Sequence, residues 1–120
     1  FNISRSAYLV ALLSGPNAPA GDPSFLAALA DATEDRLHQP YRAPLIPGFG
    51  DARRAAREAG AMAVTLSGAG PTVAAFSRKT AGDDQNRLIG AAMQEAFSRN
   101  GISSDILITK PSITGAEVKK

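Results

Sequence analysis

Cysteine is absent from this chain and histidine occurs once, at His38. The first absence excludes disulfides and thiolate metal sites, and the second excludes a histidine-rich metal cluster. Tryptophan is absent too, and aromatics make up only 6% of the residues. No basic run interleaves with them, so nucleic acid is not expected as a partner. No apolar run reaches membrane-spanning length, so a membrane is not expected either. The run 8–13 is apolar but lacks the cationic lead and cleavage site of a signal peptide. The expectation is a soluble, cytoplasmic protein. Charge is nearly balanced, with 13 Lys+Arg against 11 Asp+Glu. The pI near 9.3 comes from that slight surplus, part of it in Lys110, Lys119 and Lys120. An initiator Met is also missing: the chain opens on Phe1-Asn2-Ile3-Ser4-Arg5, as an excised domain or a fragment would.

What is present suits one folded domain. A length of 120 residues with 44% hydrophobic side chains can fill a core, and 20% charged residues do not indicate disorder. The stretch around which the rest is organised is Leu66-Ser67-Gly68-Ala69-Gly70-Pro71-Thr72. Apolar, β-leaning runs flank it, Met62-Ala63-Val64-Thr65 before and Val73-Ala74-Ala75-Phe76 after. That pattern predicts an antiparallel hairpin with a tight glycine loop. Such a loop can turn successive N–H groups into one concavity that holds an anion or polar ligand head. It can equally be a turn that needs glycine for geometry alone. Its spacing is neither the GxxxxGK[ST] phosphate loop nor the GxGxxG dinucleotide loop.

Before the hairpin the chain reads as three helices. Asn2 or Ser4 caps a first helix to about residue 13, whose wide stripe of Ile3, Ala7, Leu9, Val10, Ala11, Leu12 and Leu13 predicts burial on more than one side. Arg5 stands in its first turn, where a cation opposes the helix dipole. It is either a plain exposed or snorkelling arginine, or one with a partner, a carboxylate or phosphate at the same helix end. Residues 14–21 read as a loop. Asp22 then caps, and Pro23 starts, a helix over 24–37 with Phe25, Leu26, Leu29, Thr33 and Leu37 on one side. Asp31, Glu34, Asp35 and Arg36 lie on its solvated face, and His38 is the cation that ends it. Residues 37–49 carry three prolines and a glycine, which forbid a long helix. Yet Tyr41, Leu45, Ile46 and Phe49 require this stretch to pack. A packed, stiff segment of that kind positions side chains. Arg42 sits in its middle, with an ion pair to Asp35 or Glu34 as the plain alternative. Residues 51–59 form a short helix whose Ala52, Ala55, Ala56 and Ala59 let it lie close to a sheet, with Arg53, Arg54, Arg57 and Glu58 facing out. After the hairpin, residues 85–100 form a helix with Leu88, Ile89, Ala92, Met93, Ala96 and Phe97 at helical spacing. Ile102, Ile106, Leu107 and Ile108 then read as a strand, and residues 113–118 as a last edge strand.

A hairpin, a crossover helix and a further strand make half of an α+β, ferredoxin-like sandwich. The expected fold is that sandwich with extra N-terminal helices and without its first strand, which should precede the first helix. Three blocks agree in order and spacing: Phe1-Asn2-Ile3-Ser4-Arg5, Leu37-His38-Gln39-Pro40-Tyr41-Arg42 with Leu45-Ile46-Pro47-Gly48-Phe49, and the glycine loop. Together they resemble the C-terminal domain of homoserine kinase, in the GHMP small-molecule kinase superfamily. The resemblance covers nearly the whole chain, and the HQPYR…LIPGF block is its specific part. It departs at residues 112–118, which only loosely follow the family's Thr-Ala-Gly-Ala pattern, and at 15–21, which look like an insertion.

The resemblance implies transfer of the γ-phosphate of ATP to the hydroxyl of L-homoserine, in threonine biosynthesis. It implies that ATP and Mg2+ are held mainly by an N-terminal domain of the same polypeptide, carrying a PxxxGLGSS-type loop that nothing here matches. Residues 1–120 are then a single C-terminal domain, inactive alone, with catalytic and magnesium residues elsewhere. Arg5 and Arg42 match the arginines that take the amino-acid carboxylate, and Ser67, Gly68, Ala69 and Gly70 match the loop against the substrate and phosphate. A homodimer is a candidate assembly. Two other readings stay open: a stand-alone ferredoxin-like amino-acid-binding module, and the same domain of another GHMP kinase.

Overall fold

A computed structural model describes residues 1–14, 22–78 and 82–110. These residues form α1 (Asn2–Ser14), α2 (Pro23–Ala32), α3 (Gln39–Arg42), α4 (Phe49–Glu58), β1 (Ala63–Leu66), β2 (Val73–Phe76) and α5 (Gly82–Arg99), with a 3₁₀ turn at Ala43–Leu45 after α3. The class is the expected α+β one.

The two strands pair antiparallel, Ala63 opposite Phe76 and Leu66 opposite Val73. The glycine loop joins them as the β-leaning flanks predict. Ala52 and Ala56 of α4 are wholly buried, so this helix lies close against both α5 and the sheet. One apolar cluster joins Ala56, Ala61, Val64 and Ile89, and a second joins Ala52, Ala96 and Phe97; Val73 and Met93 pack on both. The core is therefore the space between α4, α5 and the hairpin. On the other side α2 brings Leu29 and Ala32 into burial, and α1 packs on α2. Asp22 caps α2 as expected, accepting from the Ser24 N–H at 2.9 Å.

Four expectations need correction. None of the residues of α1 is buried, and Ile3 is 88% exposed. Among the described residues α2 is the element that packs on this helix. Second, α2 stops at Ala32 rather than near residue 37. The Thr33 hydroxyl donates back to the Leu29 and Ala30 carbonyls, and Asp35 takes the next free N–H groups for itself, which offers the backbone an alternative to more helix. Leu37 is left exposed, and His38 precedes α3 instead of ending α2.

Third, Ile46 and Phe49 pack, but Tyr41 and Leu45 are 76% and 78% exposed. They project from the short α3–3₁₀ stretch, away from the contacts that anchor it. Fourth, residues 102–110 form no strand. A strand needs a neighbour about 4.8 Å away to share its hydrogen bonds. This segment lies along α5 instead: Gln94 Nε2 donates to Ser104 O at 2.6 Å, and Ile106 fills the space over Gly90. The expectations for residues 15–21 and 113–118 fall outside the described residues.

Candidate functional site

The loop between β1 and β2 closes on itself. Ser67 N donates to Thr72 O at 2.9 Å and Gly70 N to Ser67 O at 3.0 Å. Gly68 and Gly70 have φ of 56° and 76°, the left-handed region that a side chain resists. Their surroundings differ. Nothing lies within 4 Å of where a Cβ on Gly68 would stand, whereas one on Gly70 would meet Ile46 Cδ1 at 3.2 Å. Gly68 thus faces open space, and Gly70 is the face on which the preceding segment packs. The N–H groups of Gly68 and Ala69 have no acceptor among the described residues. Donors of that kind suit an anion.

The segment carrying Arg42 is pinned at both ends. At its start, the Asp35 carboxylate accepts from Asn2 Nδ2 (2.6 Å) and from the N–H groups of Leu37 (2.8 Å), His38 (2.9 Å) and Gln39 (3.1 Å). Partial burial alone would raise this carboxyl, but those hydrogen bonds outweigh it and hold it at about 2. Gln39 follows, buried at 7% exposure. Its Oε1 accepts from Leu66 N and Thr65 Oγ1, both at 3.1 Å. Since Ser67 is bonded across the hairpin, the Leu66 N–H points away from β2 and would otherwise be an orphan edge donor.

One turn further on, Arg42 Nη1 donates to Ala69 O at 2.8 Å. Arg42 is therefore not the surface arginine paired to Asp35 or Glu34; Asp35 is occupied as described, and Glu34 faces Arg36 at 3.9 Å. The structure joins Arg42 directly to the loop Ser67-Gly68-Ala69-Gly70, and Ile46 adds an apolar contact to the same loop. One Nη1 hydrogen is engaged, and the guanidinium is otherwise solvent-facing.

Arg5 is placed differently. It forms an ion pair with Asp31 of α2, and its guanidinium lies over the Phe1 ring, 4.7 Å from the centroid. The carboxylate partner that its position against the dipole calls for is thus Asp31. The described contacts do not bring Arg5 to Arg42 or to the loop.

A second charged surface lies on α4, a groove lined by Gly50, Arg53, Arg54, Arg57 and Glu58. Burial, and then the neighbouring Arg57 charge, draw the Arg53 guanidinium below its ordinary value, with Glu34 opposing. Among the described residues no group of three or more His, Cys, Asp or Glu is arranged to hold a metal ion.

Sequence reasoning missed Gln39, Asp35 and Asn2 as builders of this site. The sequence pattern places Asp35 on a solvated helix face, and Gln39 is one letter of a motif. The signal that finds Gln39 is a polar residue before a proline inside an otherwise packing segment, where the fold must give it a partner.

The description "GHMP kinases C terminal" fits residues 9–101 of the chain. The chain is 45% identical over 118 residues to the homoserine kinase of Moorella thermoacetica, covering 98% of this chain and 36% of that protein. It is 39% identical over 109 residues to the homoserine kinase of Halothermothrix orenii, covering 91% of this chain and 31% of that one. The crystal structure of homoserine kinase from Cytophaga hutchinsonii superposes with a TM-score of 0.65 at 29% identity, over 87% of this chain and 31% of that chain. The chain spans about a third of the length of the curated relatives it matches. No helix among the described residues is long and apolar enough to cross a membrane. With the family match extending from α1 through α5 and the hairpin at its centre, the chain belongs to the family of GHMP kinase C-terminal domains.

Proposed function

We propose that this chain is the substrate-side domain of a homoserine kinase, which transfers the γ-phosphate of ATP to the side-chain hydroxyl of L-homoserine in threonine biosynthesis. The observation that carries the reading is the hydrogen bond from Arg42 to Ala69 O, which unites the HQPYR segment with the glycine loop. The similarity to homoserine kinases along nearly the full chain supports it.

In this reading Arg42 holds the homoserine carboxylate. A guanidinium has five N–H donors in a planar fork. One is engaged on Ala69 O, which ties the group to the loop, and the remainder can grip a carboxylate through paired hydrogen bonds. Arg5 is the second arginine that this reading assigns to the carboxylate; in the structure it is held by Asp31 and the Phe1 ring, apart from Arg42. The free N–H groups of Gly68 and Ala69, with Ser67 and Gly70 shaping the turn, face the transferred phosphoryl group. Phosphoryl transfer depends mostly on such positioning and on donors placed where charge develops.

The GHMP kinase family uses ATP and magnesium, which supply the phosphoryl group and balance its charge. In this proposal the metal and most of the nucleotide are held by an N-terminal ATP-binding domain of the same polypeptide. The enzyme is then cytoplasmic, residues 1–120 are one domain of it, and a homodimer is its candidate assembly.

The test is the steady-state kinetics of homoserine phosphorylation by the intact polypeptide. Loss of one bidentate, charge-assisted contact costs roughly 1.5–3 kcal/mol, about ten- to a hundredfold in affinity. Arg42→Ala and Arg5→Ala are expected to raise the KM for homoserine by that factor and leave the KM for ATP nearly unchanged. Arg42→Lys should recover only part, because the fork is lost. Wild-type homoserine dependence in both alanine variants, or a loss confined to ATP, would refute the assignment.

A further inference from the structure

We infer that the outer side of α1 is an interface, covered in the intact polypeptide by the N-terminal ATP-binding domain; the identity of that occupant rests on the homoserine kinase reading above. The two long sides of α1 differ. Asn2, Arg5, Leu9 and Leu12 are half-buried and fall together at helical spacing, on the side that packs on α2. Arg5 reaches Asp31 from this side. Ile3, Ala7, Val10 and Ala11 recur at the same kind of spacing on the opposite side, and all four are exposed.

That outer side has the make-up of an interior. Arg5 is the one charged residue of α1, and it is spent on α2. A helix side that meets water normally carries charge, as α4 does with Arg54, Arg57 and Glu58. Here Ile3 is 88% and Val10 64% exposed, with no charged neighbour along the helix to keep the side solvated. Ala7 and Ala11 lie between and beside them, short enough to let another element approach the backbone closely. A helix that is apolar on both sides is one covered on both. The wide apolar stripe read from the sequence thus has two partners, of which α2 is the first.

Size and chain length choose the second. A 13-residue helix is about 20 Å long and roughly 10 Å wide, so the footprint of one side is on the order of 200 Å². Separate chains that associate stably bury about 800 Å² each. This side alone is too small to hold a second copy. A domain of the same polypeptide needs far less area, because the linkage already keeps it at high local concentration. The relatives have the chain to supply it: about two thirds of the length of the matched homoserine kinases lies outside the match.

The test uses the intact polypeptide. Ala7→Cys and Val10→Cys alter little volume and put a thiol on the outer side. Labelling of each by a maleimide, read peptide by peptide from the mass, should be at least about tenfold slower in the native protein than in denaturant. It should stay slow on dilution to the monomer. A photoreactive diazirine residue in place of Ile3 should join, on irradiation, to chain outside residues 1–120, in a product with the mass of one polypeptide. Labelling at the unfolded rate overturns the interface. Protection lost on dilution, a photoproduct of twice the mass, or links confined to residues 1–120 overturn the occupant. Neither readout uses catalysis. A protein that is protected and joined as expected, yet does not phosphorylate homoserine, refutes the kinase reading and leaves the interface standing.

Discussion

Removing the Asp35 carboxylate should loosen the segment that carries Gln39 and Arg42 while leaving the α4–α5 core intact. The structure gives this group four hydrogen bonds, three of them from consecutive backbone N–H groups. Charge-assisted bonds run about 1.5–3 kcal/mol each when the partner is stranded. Here Leu37 and His38 are exposed, so water can replace the carboxylate at their N–H groups. Asn2 and Gln39 are the ones left poorly served, and the expected net loss for Asp35→Ala is about 2–3 kcal/mol of local stability. Amide hydrogen exchange reads it directly: the N–H groups of Leu37, His38 and Gln39 should exchange roughly thirty- to a hundredfold faster. The core amides of α5 should not change. The carboxyl also predicts a pH dependence. It titrates at about 2 in the folded chain against an ordinary 3.8. A depressed folded value stabilises the fold in full above the unfolded value and loses that contribution as the pH falls from about 5 towards 2. Its partial exposure reduces the effect to about 1 kcal/mol. Denaturant midpoints of the wild type should therefore fall over that range more steeply than those of Asp35→Ala. Unchanged exchange at the three amides, or identical pH slopes, would refute the capping role.

Two further outcomes are expected. Residues 1–120 alone should show no ATP hydrolysis or homoserine phosphorylation above a Gly68→Val, Gly70→Val control, in an assay where the intact polypeptide is active. Gly68→Ala and Gly70→Ala should differ: both meet the cost of a left-handed side chain, about 1–2 kcal/mol, but the Gly70 variant also presses on Ile46 at 3.2 Å. Urea midpoints should rank wild type above Gly68→Ala above Gly70→Ala, and equal midpoints would count against the packing of the segment on the loop.

Local chemistry made part of this fold legible. The Asp22-Pro23 start of α2, the small face of α4 and the glycine hairpin each follow from residues within one turn of each other. What was not legible depended on distant partners. The end of α2 is set by Asp35, whose own partner Asn2 is 33 residues away. Asp31 reads as solvated until α1 brings Arg5 to it across 26 residues. The run 102–108 has the composition of a strand, but composition does not supply the neighbouring strand that would make it one. At the site, Arg42 stood out because a cation inside a proline-stiffened segment is conspicuous. Gln39 did not, because a single amide between a histidine and a proline has no periodicity to reveal its burial.

The three ties between the α3 segment and the glycine loop have a consequence for how the site comes into being. Gln39 to Leu66 and Arg42 to Ala69 each span 27 residues of chain, and Ile46 to Gly70 spans nearly as many. Most of the entropy lost in closing such a loop is lost with the first tie, since the others close almost the same loop. The second and third then form with little further loss. The site should therefore assemble in one step. Substitutions at Gln39, Arg42 and Ile46 should be non-additive, each removing less once another has already freed the segment.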